Sequence, residues 1–357
     1  MADAPGNVPL RIHAAGDTHI GGRAHNEDAI LLRPDLNLYL VADGAGGHNA
    51  GHLASALSTT AAAHYFESTQ REAEQAPPFD EMGLSWSARR LATAFQRANR
   101  EVREIAASAD RFDGMGSTMV AAYFDLANAT LVLGHVGDSR CYRLRDGHLE
   151  RLTTDHTLIN EVLELAPDIA PERAASLPRN VITNALGMED RVRVSARTYE
   201  VVPGDRYLLC SDGLTDEVDD GQIQQALTLG SSASESARIL IDLALDGGAR
   251  DNIGVIVLAV RVSQGVGKLP QMPVPPRRRH IQDAAATETF EDEAPEAELE
   301  SASVEISLDD ADDYEVIKVE DPDDEDAPEI EIVMNKRQRE VQRKRRADDT
   351  IITKTEP

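Results

Sequence analysis

The stretch GDRYLLCSDGLTDEV, residues 204–218, places a short apolar run directly before an Asp-Gly pair. Tyr207–Cys210 has the length and composition of a β-strand, so a strand is predicted to end at Ser211-Asp212-Gly213. A carboxylate at a strand end can be aimed into a cleft when Gly follows, because Gly lets the chain turn away without a Cβ clash. Taken alone, the stretch is equally consistent with a strand and turn whose Asp is solvated.

The same arrangement recurs elsewhere in the chain. Apolar runs end at Asp43-Gly44 and at Gly137-Asp138, and Asp251-Asn252 precedes the apolar run 253–260. If these strand ends converge, the four carboxylates cannot all be charged together without cations. Hard oxygen ligands of this kind suit Mg²⁺ or Mn²⁺. The predicted metal ligands are Asp43, Asp138, Asp212 and Asp251.

Composition divides the 357 residues into two parts. Residues up to about 262 have the composition of a globular domain. The tail, residues 263–357, holds 26 acidic and 13 basic side chains, so it carries −13 of the chain's net charge of −27. This acidity argues against unaided binding of nucleic acid.

The sequence disfavours a disulfide-rich, cysteine-zinc, secreted or membrane-spanning protein. Cys141 and Cys210 lie in apolar runs and are predicted to be buried reduced thiols, without a disulfide framework or a cysteine zinc signature. Residues 1–10 lack the pattern of a signal peptide, and no run approaches the roughly 18 apolar residues of a membrane span. The sequence therefore predicts a cytoplasmic protein with no membrane span.

The order of predicted elements indicates an α+β fold. Hairpin-linked strands and clustered helices favour two antiparallel sheets flanked by helices. The clearest helix has an apolar stripe from Leu84 to Ile105. Thr69–Gly83 is predicted to be a loop, Val181–Leu186 a strand, and Asp155 the N-cap of the helix that follows it.

The domain prediction is a short N-terminal extension (1–9), a catalytic domain (10–262) and an acidic, mostly disordered tail (263–357). Residues 284–331 contain few large apolar side chains and cannot bury enough surface to offset the entropy of ordering. A basic block at 335–346 follows. It is predicted either to dock a partner or to be part of a solvated polyampholyte.

A metal site of this composition acts most often on phosphate esters, and it then needs an anion clamp. Two metal ions can activate a water for hydrolysis without a Ser or Cys nucleophile. Arg23 is the candidate clamp, because a guanidinium fits phosphate bidentately; in isolation it could equally be a surface arginine. Gly44–Gly47 is not a P-loop, since no Lys-Ser or Lys-Thr follows, and Ser211 is not in a nucleophile elbow.

Eight short motifs occur in an order and spacing that carry a resemblance over residues 10–262. They are Arg23–Asp28, Asp43–His48, Gly116–Thr118, Gly137–Arg140, Asp155–Thr157, Ile182–Gly187, Ser211–Leu214 and Asp251–Ile253. Together they resemble the metal-dependent serine/threonine phosphatases of the protein phosphatase 2C-like family, in its bacterial form. The resemblance implies a four-layer α-β-β-α sandwich with the metal centre at one edge.

The resemblance also implies roles for individual residues. By this resemblance, two Mn²⁺ or Mg²⁺ ions would form the core site, and Asp138 with Asp212 would hold a weaker third ion. Arg23 would bind the substrate phosphate, and residues of about 156–186 would form a flap. The implied metal ligands are Asp43, the Gly44 carbonyl, Asp138, Asp212 and Asp251. Glu27 and Asp28 are implied to hold metal-bound waters, and the implied catalytic residues are Arg23, Asp43 and Asp212.

Two positions depart from the pattern. Ala45 stands where some members carry a histidine proposed as general acid, and Asn184 replaces a commonly basic residue. Neither is a predicted metal ligand.

The sequence thus predicts a cytoplasmic phosphatase, Mn²⁺- or Mg²⁺-dependent and acting on phosphoserine and phosphothreonine in proteins. Its expected partners are phosphoprotein substrates and an opposing bacterial serine/threonine kinase, and its catalytic domain is expected to be monomeric. The alternatives are a phosphoprotein-binding or scaffolding module that keeps the fold, and a phosphatase of a partner-switching pathway.

Overall fold

Two antiparallel sheets form the centre of the first of the chain's two units, residues 1–291. The computed structural model describes residues 9–46, 50–76, 85–167, 169–170, 173–174, 176–178 and 180–263, and the backbone of residues 314–319 and 330–335. The strands are β1 (Leu10–His19), β2 (Asp28–Arg33), β3 (Leu38–Ala45), β4 (Gly116–Ser117), β5 (Met119–Asp125), β6 (Thr130–Val136), β7 (Arg140–Arg145), β8 (His148–Arg151), β9 (Ser195–Glu200), β10 (Arg206–Cys210) and β11 (Ile253–Val262).

The strands pair in two separate orders. One sheet runs β1-β11-β10-β7-β8, and the other runs β2-β3-β5-β6-β9 with β4 paired to β3. The helices are α1 (Ala50–Ser68), α2 (Gln70–Gln75), α3 (Trp86–Ala106), α4 (Leu158–Leu165), α5 (Asp212–Thr215), α6 (Asp220–Leu229) and α7 (Ala233–Gly247).

Alternation along the central strands explains the layering. In β3, Leu38 and Leu40 belong to the core beneath α1 and α3, whereas Tyr39 and Val41 belong to the core between the sheets. In β10, Leu208 likewise packs toward α6 and α7. Successive side chains of a strand point to opposite faces, so a strand buried on both faces must be apolar at every position. The predicted four-layer α-β-β-α sandwich is confirmed.

Helix α3 buries the predicted apolar stripe at Leu91, Phe95 and Val102, while Leu84 lies outside the described residues. The Ser85 side chain caps α3 by accepting a hydrogen bond from the Ala88 N–H. Helix α7 starts at the Ser232 cap and ends at Gly248, whose φ of 119° suits glycine.

Three local predictions are wrong. Residues 70–75 form α2 instead of a loop. Residues 181–186 are not a strand: within them only Ile182 and Leu186 form isolated bridges. The N-cap position of helix α4 is Thr157, whose side chain makes no capping hydrogen bond, and the Asp155 carboxylate pairs instead with the Arg140 guanidinium at 2.8 Å. In the second and third cases a contact with a residue distant in sequence replaces the pattern that the local sequence favours.

The C-terminal unit, residues 292–357, contains a pair of strands that sequence analysis did not predict. Strands β12 (Tyr314–Val319) and β13 (Ile330–Asn335) pair antiparallel. Both runs are rich in Ile and Val, a local signal that the acidic composition of the tail obscures. Residues 1–8 and the rest of the tail, including 336–346 of the basic block, lie outside the described residues. The helices that are described include none long and apolar enough to cross a membrane.

Candidate metal centre

The predicted carboxylates are brought together where the two sheets meet. The β2–β3 register places Asp28 opposite Asp43. Across the sandwich, the Ser211 hydroxyl at the end of β10 donates to Asp28 Oδ2 at 2.6 Å and accepts from the Gly254 N–H at 2.8 Å. This hydroxyl therefore links the acid of one sheet to two strands of the other.

The pKa values show that these acids influence one another. Burial raises the pKa of Asp43 well above its usual value, and the nearby charges of Asp28, Asp212, Asp138 and Asp251 raise it further. Burial, followed by Asp212, raises the pKa of Asp138 to about 7. Charges raise each other's pKa in this way only when they are close in space, so these acids, although far apart in sequence, form one cluster in the folded protein.

Asp28 and Asp212 show the same effect. The pKa of Asp28 is raised to about 7 by burial and then by Asp212, Asp251 and Glu27, although the Ser211 hydrogen bond lowers it. Burial also raises the pKa of Asp212, with further contributions from Asp216 and Asp251. Asp216, one helical turn after Asp212, was not singled out from the sequence, although the i, i+4 spacing of the two acids was visible.

The donor set fits a hard divalent cation. The Oδ1 atoms of Asp28, Asp138 and Asp212 are buried and have no hydrogen-bond partner. A buried carboxylate oxygen without a partner is costly, and a cation compensates it. Among the described side chains, no three His, Cys, Asp or Glu groups already form a closed ligand set. The fit therefore rests on the unpartnered oxygens and the mutual repulsion.

Close backbone packing explains the glycines at the cluster. A Cβ at Gly44 would lie 1.8 Å from the Gly51 carbonyl oxygen in α1, and one at Gly213 would lie 2.0 Å from the Asn252 carbonyl oxygen. Both positions exclude any side chain. Residues 47–49, which include His48, lie outside the described part of the chain.

Arg23 lies at the rim of the cluster. Its Nη2 atom is 2.5 Å from Asp251 Oδ2, and its side chain is 54% exposed. The guanidinium therefore lies beside the acids with much of its surface open to solvent. Glu27, four residues later, has its pKa raised by burial and by Asp251, while Arg23 and His25 lower it.

The hydroxyls of Thr118 and Ser139, which the sequence did not single out, form hydrogen bonds next to Asp43. Thr118 accepts a hydrogen bond from the Asp43 N–H at 3.2 Å and lies 2.7 Å from the Ser139 hydroxyl. Its own N–H donates to the Asp43 carbonyl at 2.8 Å. The Gly116–Thr118 motif contained this signal, but only the strand pairing shows that it holds both peptide groups of Asp43.

The departure at Asn184 has a structural explanation. The ring of His156 stacks on that of His135, with centroids 4.6 Å apart. His156 Nδ1 accepts from the Gly137 N–H at 3.2 Å and lies 2.8 Å from Asn184 Nδ2, which also donates to the Arg193 carbonyl. Burial lowers the pKa of His156 to about 3, so the ring is neutral and its Nδ1 accepts from the uncharged Asn184 amide.

We expect Asn184→Lys, which restores the commonly basic residue, to destabilise the protein by about 2–4 kcal/mol. The ammonium would be buried beside the His156 ring, and Glu161, the acid that accepts from the adjacent Thr183, is already paired with Arg193. Urea unfolding measures the loss. Met188→Lys is the control, because Met188 is 58% exposed and a lysine there should cost under about 0.5 kcal/mol. Equal stabilities of the two variants would contradict this account.

Comparisons with known proteins agree with this geometry. A family model described as Protein phosphatase 2C matches residues 15–240. The chain belongs to the protein phosphatase 2C family.

Its relatives include named bacterial phosphatases. It is 40% identical over 240 residues to the serine/threonine protein phosphatase PstP of Mycobacterium tuberculosis, covering 67% of this chain and 43% of PstP. The serine/threonine phosphatase stp of Listeria monocytogenes is 34% identical over 246 residues, covering 68% of this chain and 93% of stp. The chain thus spans about two fifths of the length of PstP.

Solved structures share the fold. The catalytic domain of PstP in complex with two manganese ions superposes with a TM-score of 0.58 at 36% identity, covering 71% of this chain and 99% of that domain. Stp1 from Staphylococcus aureus gives a TM-score of 0.60 at 30% identity, covering 72% of this chain and 99% of Stp1.

Proposed function

We propose that this chain hydrolyses phosphoserine and phosphothreonine in proteins and depends on Mn²⁺ or Mg²⁺. The observation that carries the proposal is the cluster of buried, mutually repelling carboxylates with Arg23 at its rim. The manganese ions of the PstP catalytic domain support it. The residues that would hold the ions are Asp43, the Gly44 carbonyl, Asp212 and Asp251, with Asp138 and Asp212 for a weaker third ion.

The protein groups have separable roles in this proposal. Bound divalent ions would supply charge neutralisation and a water of lowered pKa. Arg23 would bind and orient the phosphate through its exposed N–H groups. Glu27 and Asp28 would accept hydrogen bonds from the waters around the site. Burial raises the pKa of both carboxyls, and that of Asp28 reaches about 7.

The test of function is phosphate release from a phosphothreonine peptide with Mn²⁺ and with EDTA. We expect turnover that requires Mn²⁺. Tight Mn²⁺ binding without turnover would favour the phosphoprotein-binding module instead. Turnover that persists in EDTA would overturn the metal-centre proposal.

Arg23→Ala is expected to raise KM for the peptide about 10- to 100-fold, the effect of losing charge-assisted hydrogen bonds to phosphate. Arg250→Ala is the matched control. Arg250 is also exposed and paired with an acid, Glu217 at 2.9 Å, but that acid is not a predicted site residue. The KM of Arg250→Ala should stay within about twofold of the wild-type value. If the two variants behave alike, Arg23 is not the phosphate clamp.

The physiological setting is also part of the proposal. An opposing serine/threonine kinase, a cytoplasmic location and a monomeric catalytic domain remain predictions from the sequence, as does partner docking by residues 263–357. Deleting residues 263–357 should weaken turnover of the physiological phosphoprotein and leave turnover of a short peptide unchanged. Unchanged turnover of both, with unchanged partner binding, would contradict tail docking.

A further inference from the structure

Asn252 bonds to three peptide groups of the segment that carries Arg23. Its side chain is buried, with the residue 4% exposed. Nδ2 donates to the Ile20 carbonyl and to the His25 carbonyl, each at 2.8 Å, and Oδ1 accepts from the Glu27 N–H at 2.8 Å. Two donated bonds and one accepted bond use nearly the full capacity of a carboxamide.

The segment held in this way is the connection between β1 and β2, residues 20–27, which we call the Arg23 loop. It contains no helix or strand. Ile20 lies at its start, and His25 and Glu27 lie at its end, so one side chain joins the two ends. Besides these bonds, the Gly22 N–H donates to the Ala249 carbonyl at 2.6 Å and Arg23 pairs with Asp251.

Asn252 also lies at the junction of the elements that supply the predicted metal ligands. It follows Asp251 directly, and its carbonyl oxygen packs so closely on Gly213 that a Cβ there would lie 2.0 Å away. Gly213 in turn follows Asp212. Asn252 therefore connects the Arg23 loop to the backbone next to Asp251 and Asp212.

The chemistry at this position requires an amide. An aspartate could accept from the Glu27 N–H but would set a charged oxygen against two carbonyl oxygens. A serine is too short to reach all three groups. With the amide reversed, its oxygen would face the Ile20 and His25 carbonyls, so the network defines the orientation.

We propose that Asn252 is a positioning residue for phosphate binding: its carboxamide closes the Arg23 loop and so holds the Arg23 guanidinium at the rim of the acid cluster. This inference rests on the proposed function. Without the carboxamide, three backbone groups lose their partner and the loop can adopt other conformations. Arg23 then binds phosphate only in the fraction of molecules with the correct loop conformation.

Asn99 provides a matched control. It is also a buried asparagine, 1% exposed, that holds a loop by its side chain. Its Nδ2 donates to the Glu189 carbonyl at 3.0 Å and the Asp190 carbonyl at 3.2 Å, and its Oδ1 accepts from the Gly187 N–H at 2.8 Å. Asn99→Ala and Asn252→Ala therefore remove the same chemistry from different loops.

The experiment compares both variants in the full chain with Mn²⁺, using a phosphothreonine peptide as substrate and inorganic phosphate as competitive inhibitor. We expect both variants to lower Tm similarly. Asn252→Ala should raise KM and the inhibition constant of phosphate about tenfold or more, with kcat changed less. Asn99→Ala should leave these constants within about twofold. If Asn252→Ala fails to fold, Asn252→Ser is measured in its place.

The double variant Arg23→Ala/Asn252→Ala separates positioning from general destabilisation. If Asn252 acts through Arg23, removing its carboxamide should change KM little once the guanidinium is gone. Fully additive effects, or equal constants for the Asn252 and Asn99 variants, would overturn the inference. An inactive wild type would instead refute the proposed function, so the two failures are distinguishable.

Discussion

Asp43→Asn is expected to reduce turnover by about 10³-fold or more, beyond the roughly 10- to 100-fold associated with groups that only support a metal ligand. It should nevertheless raise Tm when measured in EDTA at a pH high enough for the wild-type carboxyl to be charged. The Asp43 carboxyl is buried and is repelled by Asp28, Asp212 and Asp138. Replacing it with a neutral amide of the same shape removes that repulsion together with the predicted metal ligand.

Asp205→Asn is the matched control, because it changes a buried aspartate that has partners. The Asp205 carboxylate accepts from Arg145 at 2.7 Å, from the Tyr207 hydroxyl at 2.9 Å and from the Val202 N–H at 3.0 Å. We expect a loss of up to about 3 kcal/mol of stability with turnover per folded molecule unchanged. Phosphate release and thermal unfolding in EDTA measure both variants. A lowered Tm for Asp43→Asn would contradict the repulsive cluster.

The second large effect is a pH-dependent stability penalty at Asp138. Its pKa is raised to about 7 in the folded protein from an ordinary value of 3.8. Below pH 4 the carboxyl is protonated in both states and contributes nothing. Between pH 4 and 7 the folded state retains a proton that the unfolded state has released, so this group's contribution to stability falls as pH rises. The full penalty is present above pH 7.

Asp138→Asn should therefore be more stable than the wild type in EDTA by a few kcal/mol at pH 8 and nearly equal to it at pH 4. Mn²⁺ should reduce or reverse the difference at pH 8, because the cation compensates the carboxylate. Urea unfolding of both proteins at several pH values, with EDTA and with Mn²⁺, gives the comparison. A difference that does not change with pH would show that Asp138 titrates normally.

Local patterns predicted most of the fold. The apolar runs before Asp43, Asp138 and Asp212 form β3, β6 and β10, because a strand buried on both faces must be apolar throughout. Strand β3 differs from the prediction in that it continues past Asp43 to Ala45. The stripe of α3 predicted its buried face for a similar reason. The sequence could not show that residues 181–186 are held by isolated bridges, since the contacts that replace strand pairing come from distant residues.

The sequence by itself determined the residue types of the candidate site: carboxylates at strand ends, glycines where the backbone must pack closely, and an arginine in a polar loop. Only the tertiary structure decided how they meet. Residues remote in the chain are joined by the Asp28–Asp43 pairing, the Ser211 link between the sheets, the Arg23–Asp251 contact and the hydrogen bonds of Asn252 to the Arg23 loop. Side-chain patterns report which face of an element is buried, whereas long-range hydrogen bonds and ion pairs depend on strand register and sheet packing, which no local stretch encodes.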